Sequence, residues 1–262
     1  MKTYIPVLLL LGGALPAPSL LAIDAQTVAD KAAIASYYQG RDGRASVSMT
    51  IEDHQGRTRR REMLILRRDL EEDLGNQRFF VYFKSPPDVH RTTFLVWKYP
   101  EKDDDRWLYL PSLDLTRRIA ASDERTSFVG SHFFYEDVSG RSPAEDHHEL
   151  IEETDLYYIL KSTPRDPELV EFKFFKSWIH KGTFIPVKTE YINGRGEVYR
   201  IYEALKVETI QGNPTVVQSR MTDKERRGNT TLTSGDVGYD VGLETDLFTE
   251  RYLRNPPRKY MD

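Results

Sequence analysis

Asp105-Arg106-Trp107-Leu108-Tyr109-Leu110-Pro111 reads as a strand stopped by proline. A short return, Thr116–Ala120, carries Arg117-Arg118-Ile119, and the chain continues as Phe128-Val129-Gly130-Ser131-His132-Phe133-Phe134-Tyr135-Glu136-Asp137-Val138. On both sides of this stretch the hydrophobic period is close to two. Upstream, Val47, Met49 and Ile51 alternate with Ser46, Ser48 and Thr50; strands follow at Arg57–Arg68, Arg78–Lys84 and Thr92–Tyr99. Downstream, strands are expected at Asp155–Lys161, Leu169–Ile179, Phe184–Ile192, Glu197–Val207, Thr215–Thr222 and Asn229–Val237. Asn193-Gly194 between two alternating runs is a strong hairpin signal, and Ser85-Pro86-Pro87-Asp88 and Gly212-Asn213-Pro214 mark other turns. Ile23 to Tyr38 has helical spacing and stops at Gly40, and Glu244–Leu253 reads as a short closing helix. The spacing predicts a mainly β, α+β domain over residues 23–262, with one large antiparallel sheet.

The strand faces differ in character. Leu169–Ile179 sets Val170, Phe172, Phe174 and Trp178 against Glu171, Lys173 and Ser177. Thr92–Tyr99 has Leu95 and Trp97 on one face and Phe94 and Val96 on the other. An aromatic inner face suits a curved sheet around a cavity and a filled core alike. Mid-strand Glu171, Lys173, Lys188 and Glu190 argue against a membrane barrel, whose outward band must be apolar.

Residues 1–22 are a different material. Lys2 precedes the apolar run Ile5–Leu15, Pro16 to Pro18 break it, and Leu20-Leu21-Ala22 offers a small-residue exit. This is the pattern of a secretory signal peptide cleaved near Ala22, which makes the expected protein periplasmic. Cleavage leaves 36 basic residues (37 − 1) against 41 acidic ones, near −5, an unfavourable balance for nucleic acid. The chain has no cysteine, which excludes thiol nucleophiles, thiolate metal sites, disulfides and a cysteine-linked lipid anchor.

No catalytic constellation stands above background. His147-His148 lies among Glu145, Asp146 and Glu149 without a third histidine at ligand spacing, and reads as a solvated loop with no metal site. Ser131, His132 and Asp137 can be written as a triad, but no glycine-framed nucleophile elbow surrounds Ser131. Gly194-Arg195-Gly196 lacks the rest of a dinucleotide loop, so no cofactor is expected. Arg57, Arg59, Arg60, Arg61, Arg67 and Arg68 read as a solvated strand end paired with Glu71, Glu72 and Asp73, in preference to a face for lipid-headgroup phosphates.

The Trp-x-Tyr-Leu-Pro strand Trp107–Pro111 and the Tyr135-Glu136-Asp137 turn, with the early helix and hairpin, resemble the LolA-like outer membrane lipoprotein-sorting protein family over about residues 25 to 253. In that family's usual segment an aspartate stands where this chain has His132, and a small hydroxyl residue where it has Phe134. The resemblance implies an unclosed antiparallel β-barrel of the LolA/LolB type, plugged by helices around a hydrophobic cavity. It implies a non-enzymatic carrier of a lipid, a lipoprotein acyl chain or another hydrophobic molecule, in transient contact with membrane surfaces. An inner-membrane exporter of the resistance-nodulation-division type is a candidate partner. The alternative is a sensor or adaptor module with a filled core. If alternation assigns the inner face, the cavity lining is Val47, Met49, Ile51, Leu95, Trp97, Phe172, Phe174 and Trp178.

Overall fold

The computed structural model describes residues 23–72 and 74–261; the expected signal peptide lies outside them. Among the described residues, thirteen strands form one antiparallel sheet. The first six are β1 (Asp42–Glu52), β2 (Thr58–Asp69), β3 (Gln77–Ser85), β4 (Thr93–Lys98), β5 (Asp105–Leu110) and β6 (Leu115–Ile119). The other seven are β7 (Asp146–Glu153), β8 (Tyr157–Pro164), β9 (Phe172–His180), β10 (Pro186–Asn193), β11 (Val198–Ile210), β12 (Asn213–Asp223) and β13 (Gly228–Tyr239). Their spatial order is β6-β5-β4-β3-β2-β1-β13-β12-β11-β10-β9-β8-β7. Two meanders are therefore joined at the centre by β1 and β13, with Met49 opposite Leu232. The outer strands β6 and β7 follow one another in the chain without pairing, so the curved sheet stays an unclosed barrel. Residues 120–145 cross that gap.

Helix α1 (Ala25–Tyr37) is capped by Asp24, whose carboxylate accepts the Thr27 N–H at 2.9 Å. Its small buried face, Val28, Ala29 and Ala32, packs against Leu160 of β8 and Ile179 of β9. Alanines let the helix lie close to the sheet, on the same face as the main core of Met49, Ile51, Phe83, Phe94 and Phe128.

A second core lies on the opposite face. Leu64, Leu66, Phe80, Leu95 and Trp107 are covered there by Leu243, Leu247, Phe248 and Leu253 of the C-terminal segment. That segment is a strap made of the single turn Thr245–Phe248 and the short helix α3 (Arg251–Arg254), in place of the one closing helix expected. Backbone groups tie it down: Thr93 donates to the Leu253 carbonyl and Trp97 Nε1 to the Phe248 carbonyl, each at 2.7 Å.

Two further expectations are corrected. The double histidine sits on edge strand β7, not in a loop. There His147 is exposed, while the His148 ring bridges Ser162 and the Pro143 carbonyl at 2.8 Å each. Among the described residues, which leave out Asp73, the arginines of this run do not pair with Glu71 or Glu72. Arg57 meets Asp53, Arg60 meets Glu62, Arg67 meets Asp69, and Arg61 reaches the Val129 carbonyl.

Candidate functional site

Between the inner face of the sheet, the end of α1 and the crossing segment 120–145 lies a cavity of about 380 Å³. One wall is apolar: Val47 and Met49 of β1, Met63 and Ile65 of β2, and Phe128 and Phe133 of the crossing segment. The facing wall, from β10 to β12, carries hydroxyls: Thr189, Tyr191, Tyr202 and Ser219. Tyr37 and Asp137 complete it at the α1 end. Burial pushes the Tyr37 and Tyr191 phenols above their ordinary range and that of Tyr202 up to about 12, so all three are neutral O–H groups.

The crossing segment is held in place by a buried ion pair. Arg200 of β11 is 2% exposed, and its guanidinium meets the Asp137 carboxylate and donates to the His132 carbonyl at 3.2 Å. Asp137 also accepts the Phe134 N–H at 2.6 Å, which closes the turn leading into the short helix α2 (Glu136–Ser139). Burial pushes the Asp137 carboxyl up, and Arg200 opposes that. The Arg200 guanidinium lies 3.6 Å from the Phe134 ring centroid, so Phe134 supplies a cation–π face. Tyr135 turns the other way, into the core, with its ring 5.2 Å from Phe94 and 5.5 Å from Phe128. His132 is buried, with its backbone N–H 3.0 Å and Nδ1 2.8 Å from Thr230 Oγ1. A side chain at Gly228 would place Cβ 2.6 Å from the His132 ring, so the β13 end is shaped around this histidine. The Tyr135-Glu136-Asp137 turn thus works as a staple fixing the plug to the sheet.

Ser131, His132 and Asp137 do not act together: Ser131 Oγ accepts the Phe133 N–H at 3.1 Å, His132 engages Thr230, and Asp137 engages Arg200.

Across the gap between β6 and β7, a chain of alternating charges runs from Arg106 of β5 to Asp146 of β7. Arg106 meets Glu124, Arg125 meets Glu124 and Glu136, and Arg141 meets Glu136 and Asp146. A depression of about 550 Å³ lies over this seam. Its buried Lys98 donates to the Ser139 and Gly140 carbonyls at 2.7 Å each.

The eight residues expected from alternation separate into groups. Val47 and Met49 line the cavity, and Ile51 lies beside them in the core. Phe172 is buried against Phe175 and Tyr191, at centroid distances of 5.7 and 5.6 Å. Leu95 and Trp97 lie on the other face, under the strap. Both faces of β4 are apolar, so alternation there cannot tell inside from outside. Phe174 and Trp178 also point away from the cavity, toward Lys161 and Lys188 at 5.6 and 4.8 Å. The cause is a bulge: Ile192 and Asn193 pair with Phe174 and Phe172, which leaves Lys173 extra and reverses the parity of β9. Beyond it, Ser177 and Ile179 are the buried positions. Sequence reading missed Tyr191 and Tyr202 as wall residues, although Tyr191 falls on the apolar face of Phe184–Ile192.

A family model described as "-like: Uncharacterized protein" matches residues 75–255. No curated protein matches the sequence. Among solved structures, a DUF1329 family protein from Desulfovibrio piger superposes with a TM-score of 0.80 at 26% identity, covering 87% of this chain and 97% of that one. A domain described as an outer membrane lipoprotein-sorting protein from Vibrio parahaemolyticus gives 0.79 at 22% identity, over 88% and 98%. A LolA superfamily protein from Nitrosomonas europaea gives 0.68 at 19%, over 88% and 100%.

Proposed function

The chain belongs to the family whose model spans residues 75–255 and has the LolA-like fold, and from that premise we propose that it is a periplasmic carrier of a hydrophobic molecule. The observation that carries this reading is the cavity of about 380 Å³ between the inner sheet face, α1 and the stapled crossing segment. The signal-peptide pattern of residues 1–22 and the lipoprotein-sorting description of the Vibrio structure support the compartment and the carrier role. No helix among the described residues is long and apolar enough to cross a membrane.

The physical mechanism is partition. Each methylene moved from water into a dry pocket gains about 0.8 kcal/mol, so a chain of about a dozen gains roughly 10 kcal/mol gross. Ordering takes back a large share, which leaves affinity moderate enough for release at a membrane. No step needs a catalytic group. An exporter of the resistance-nodulation-division type remains the partner suggested by the family resemblance. A module with a filled core, acting as sensor or adaptor, is the competing reading.

Val47→Trp tests the proposal. Val47 is 3% exposed and lies on the cavity wall, so the indole should occupy space that a ligand would use. Binding of the apolar fluorophore N-phenyl-1-naphthylamine should weaken by at least about tenfold, while the melting temperature holds because the cavity absorbs the added volume. Unchanged dye binding together with a lowered melting temperature would point to a site already filled by protein.

A further inference from the structure

We propose that the cavity takes an uncharged single-chain amphiphile, whose head hydrogen-bonds to the hydroxyl wall of β10–β12 while its tail lies against β1, β2 and Phe128. The proposal rests on the carrier reading and adds the chemical class of the cargo.

Size sets the first limit. A protein cavity of about 150 Å³ holds one benzene, about 25 Å³ per non-hydrogen atom, so the present cavity has room for about 15 such atoms. That is one chain with a small head. A diacyl or triacyl lipid carries several times as many.

Charge sets the second limit. Among the residues lining the cavity the only ionisable group other than tyrosine is Asp137, and its charge is met by Arg200 from behind. A carboxylate, phosphate or ammonium brought inside would have no counter-ion, and desolvating it would cost more than the tail gains. The head that enters is therefore neutral: a hydroxyl, an ester or an amide.

Hydrogen-bonding capacity sets the third. Thr189 of β10 lies opposite Tyr202 of β11 in the ladder, and Tyr191 is two residues along the same inner face. Thr189 Oγ1 is already 3.0 Å from Ser177 Oγ. The Tyr191 hydroxyl has no hydrogen-bond partner among the described residues, nor is it sealed from the cavity as the enclosed orphan polar atoms are. Tyr191 is half-buried and lines the cavity. It offers one O–H donor and a phenolic acceptor in an otherwise dry place, where an unmade hydrogen bond is costly. A purely hydrocarbon ligand would leave it unpaired, and a neutral polar head satisfies it.

The test is displacement of N-phenyl-1-naphthylamine from the full mature chain at neutral pH. Three competitors share a twelve-carbon chain, dodecanol, dodecanoate and dodecyltrimethylammonium, and the fourth is a diacyl phosphatidylethanolamine supplied in vesicles. Dodecanol should displace the dye at least about tenfold more effectively than any of the other three. Tyr191→Phe should weaken dodecanol by about three- to tenfold more than it weakens the dye, the loss expected of one hydrogen bond. Equal displacement by dodecanoate or the ammonium would overturn the neutral head, and equal displacement by the diacyl lipid would overturn the single chain. Either result leaves the carrier reading standing. If the wild-type chain binds neither dye nor any of the four, the carrier reading itself falls, and this proposal with it.

Discussion

Replacing Arg200 by methionine is expected to cost about 3–5 kcal/mol, roughly 6–20 °C in melting temperature for a domain of this size. The side chain is 2% exposed and sits between the Asp137 carboxylate and the Phe134 ring. Without it, Asp137 is a buried charge with no partner, or takes up a proton and gives up part of its grip on the Phe134 N–H. Both routes loosen the staple that fixes residues 120–145 across the open side of the barrel. The double variant Arg200→Met with Asp137→Asn should recover much of the loss, because asparagine keeps an acceptor for that N–H and brings no charge. Thermal unfolding of the wild type, both single variants and the double variant measures the coupling. If the double variant is as unstable as the sum of the singles, Arg200 contributes through packing alone and the ion pair has no special part.

Phe248→Ala should be about as damaging, at roughly 3–5 kcal/mol, for a different reason. Phe248 is 2% exposed and belongs to the strap, packed with Leu247 and Leu253 on the outer face of β2–β5. Truncation leaves a void under a segment whose anchors, Trp97 Nε1 on the Phe248 carbonyl and Thr93 on the Leu253 carbonyl, depend on close contact. The strap lies on the side of the sheet away from the cavity. Dye affinity at a temperature where the variant is folded should therefore stay within about twofold of the wild type, in keeping with the near-independence of distant sites. Urea unfolding gives the stability loss and dye titration the affinity. A large loss of dye affinity would mean that the strap and the cavity wall move together.

The contrast between these faces explains what the sequence made legible. Alternation located the strands other than β7 and gave the inner face of β1, because Ser46, Ser48 and Thr50 on its other side are polar. On β4 the strap makes the outer face as dry as the inner one, so Phe94 and Leu95 are both fully buried and the pattern carries no direction. On β9 one extra residue at Lys173 reverses the parity, and no local composition announces it. β7 was overlooked because an edge strand with exposed Glu149, Glu152 and Glu153 has no apolar stripe to betray it. The Tyr135-Glu136-Asp137 turn was legible as a family mark, but its partner Arg200 lies 63 residues downstream. Its role as a staple follows only from the tertiary contact. The hydroxyl wall escaped notice for a related reason: tyrosines on a half-apolar strand look the same whether they fill a core or face a cavity.

Whether the cavity carries cargo is settled most directly by mass spectrometry of an organic-solvent extract. The protein should be exported to the periplasm, purified without detergent, and compared with Val47→Trp prepared in parallel. The account predicts a defined, uncharged single-chain amphiphile at close to one per protein in the wild type, and little or none in the variant. An empty wild-type extract, still empty after incubation with total membrane lipid, would contradict it and leave an interaction module built on the same fold.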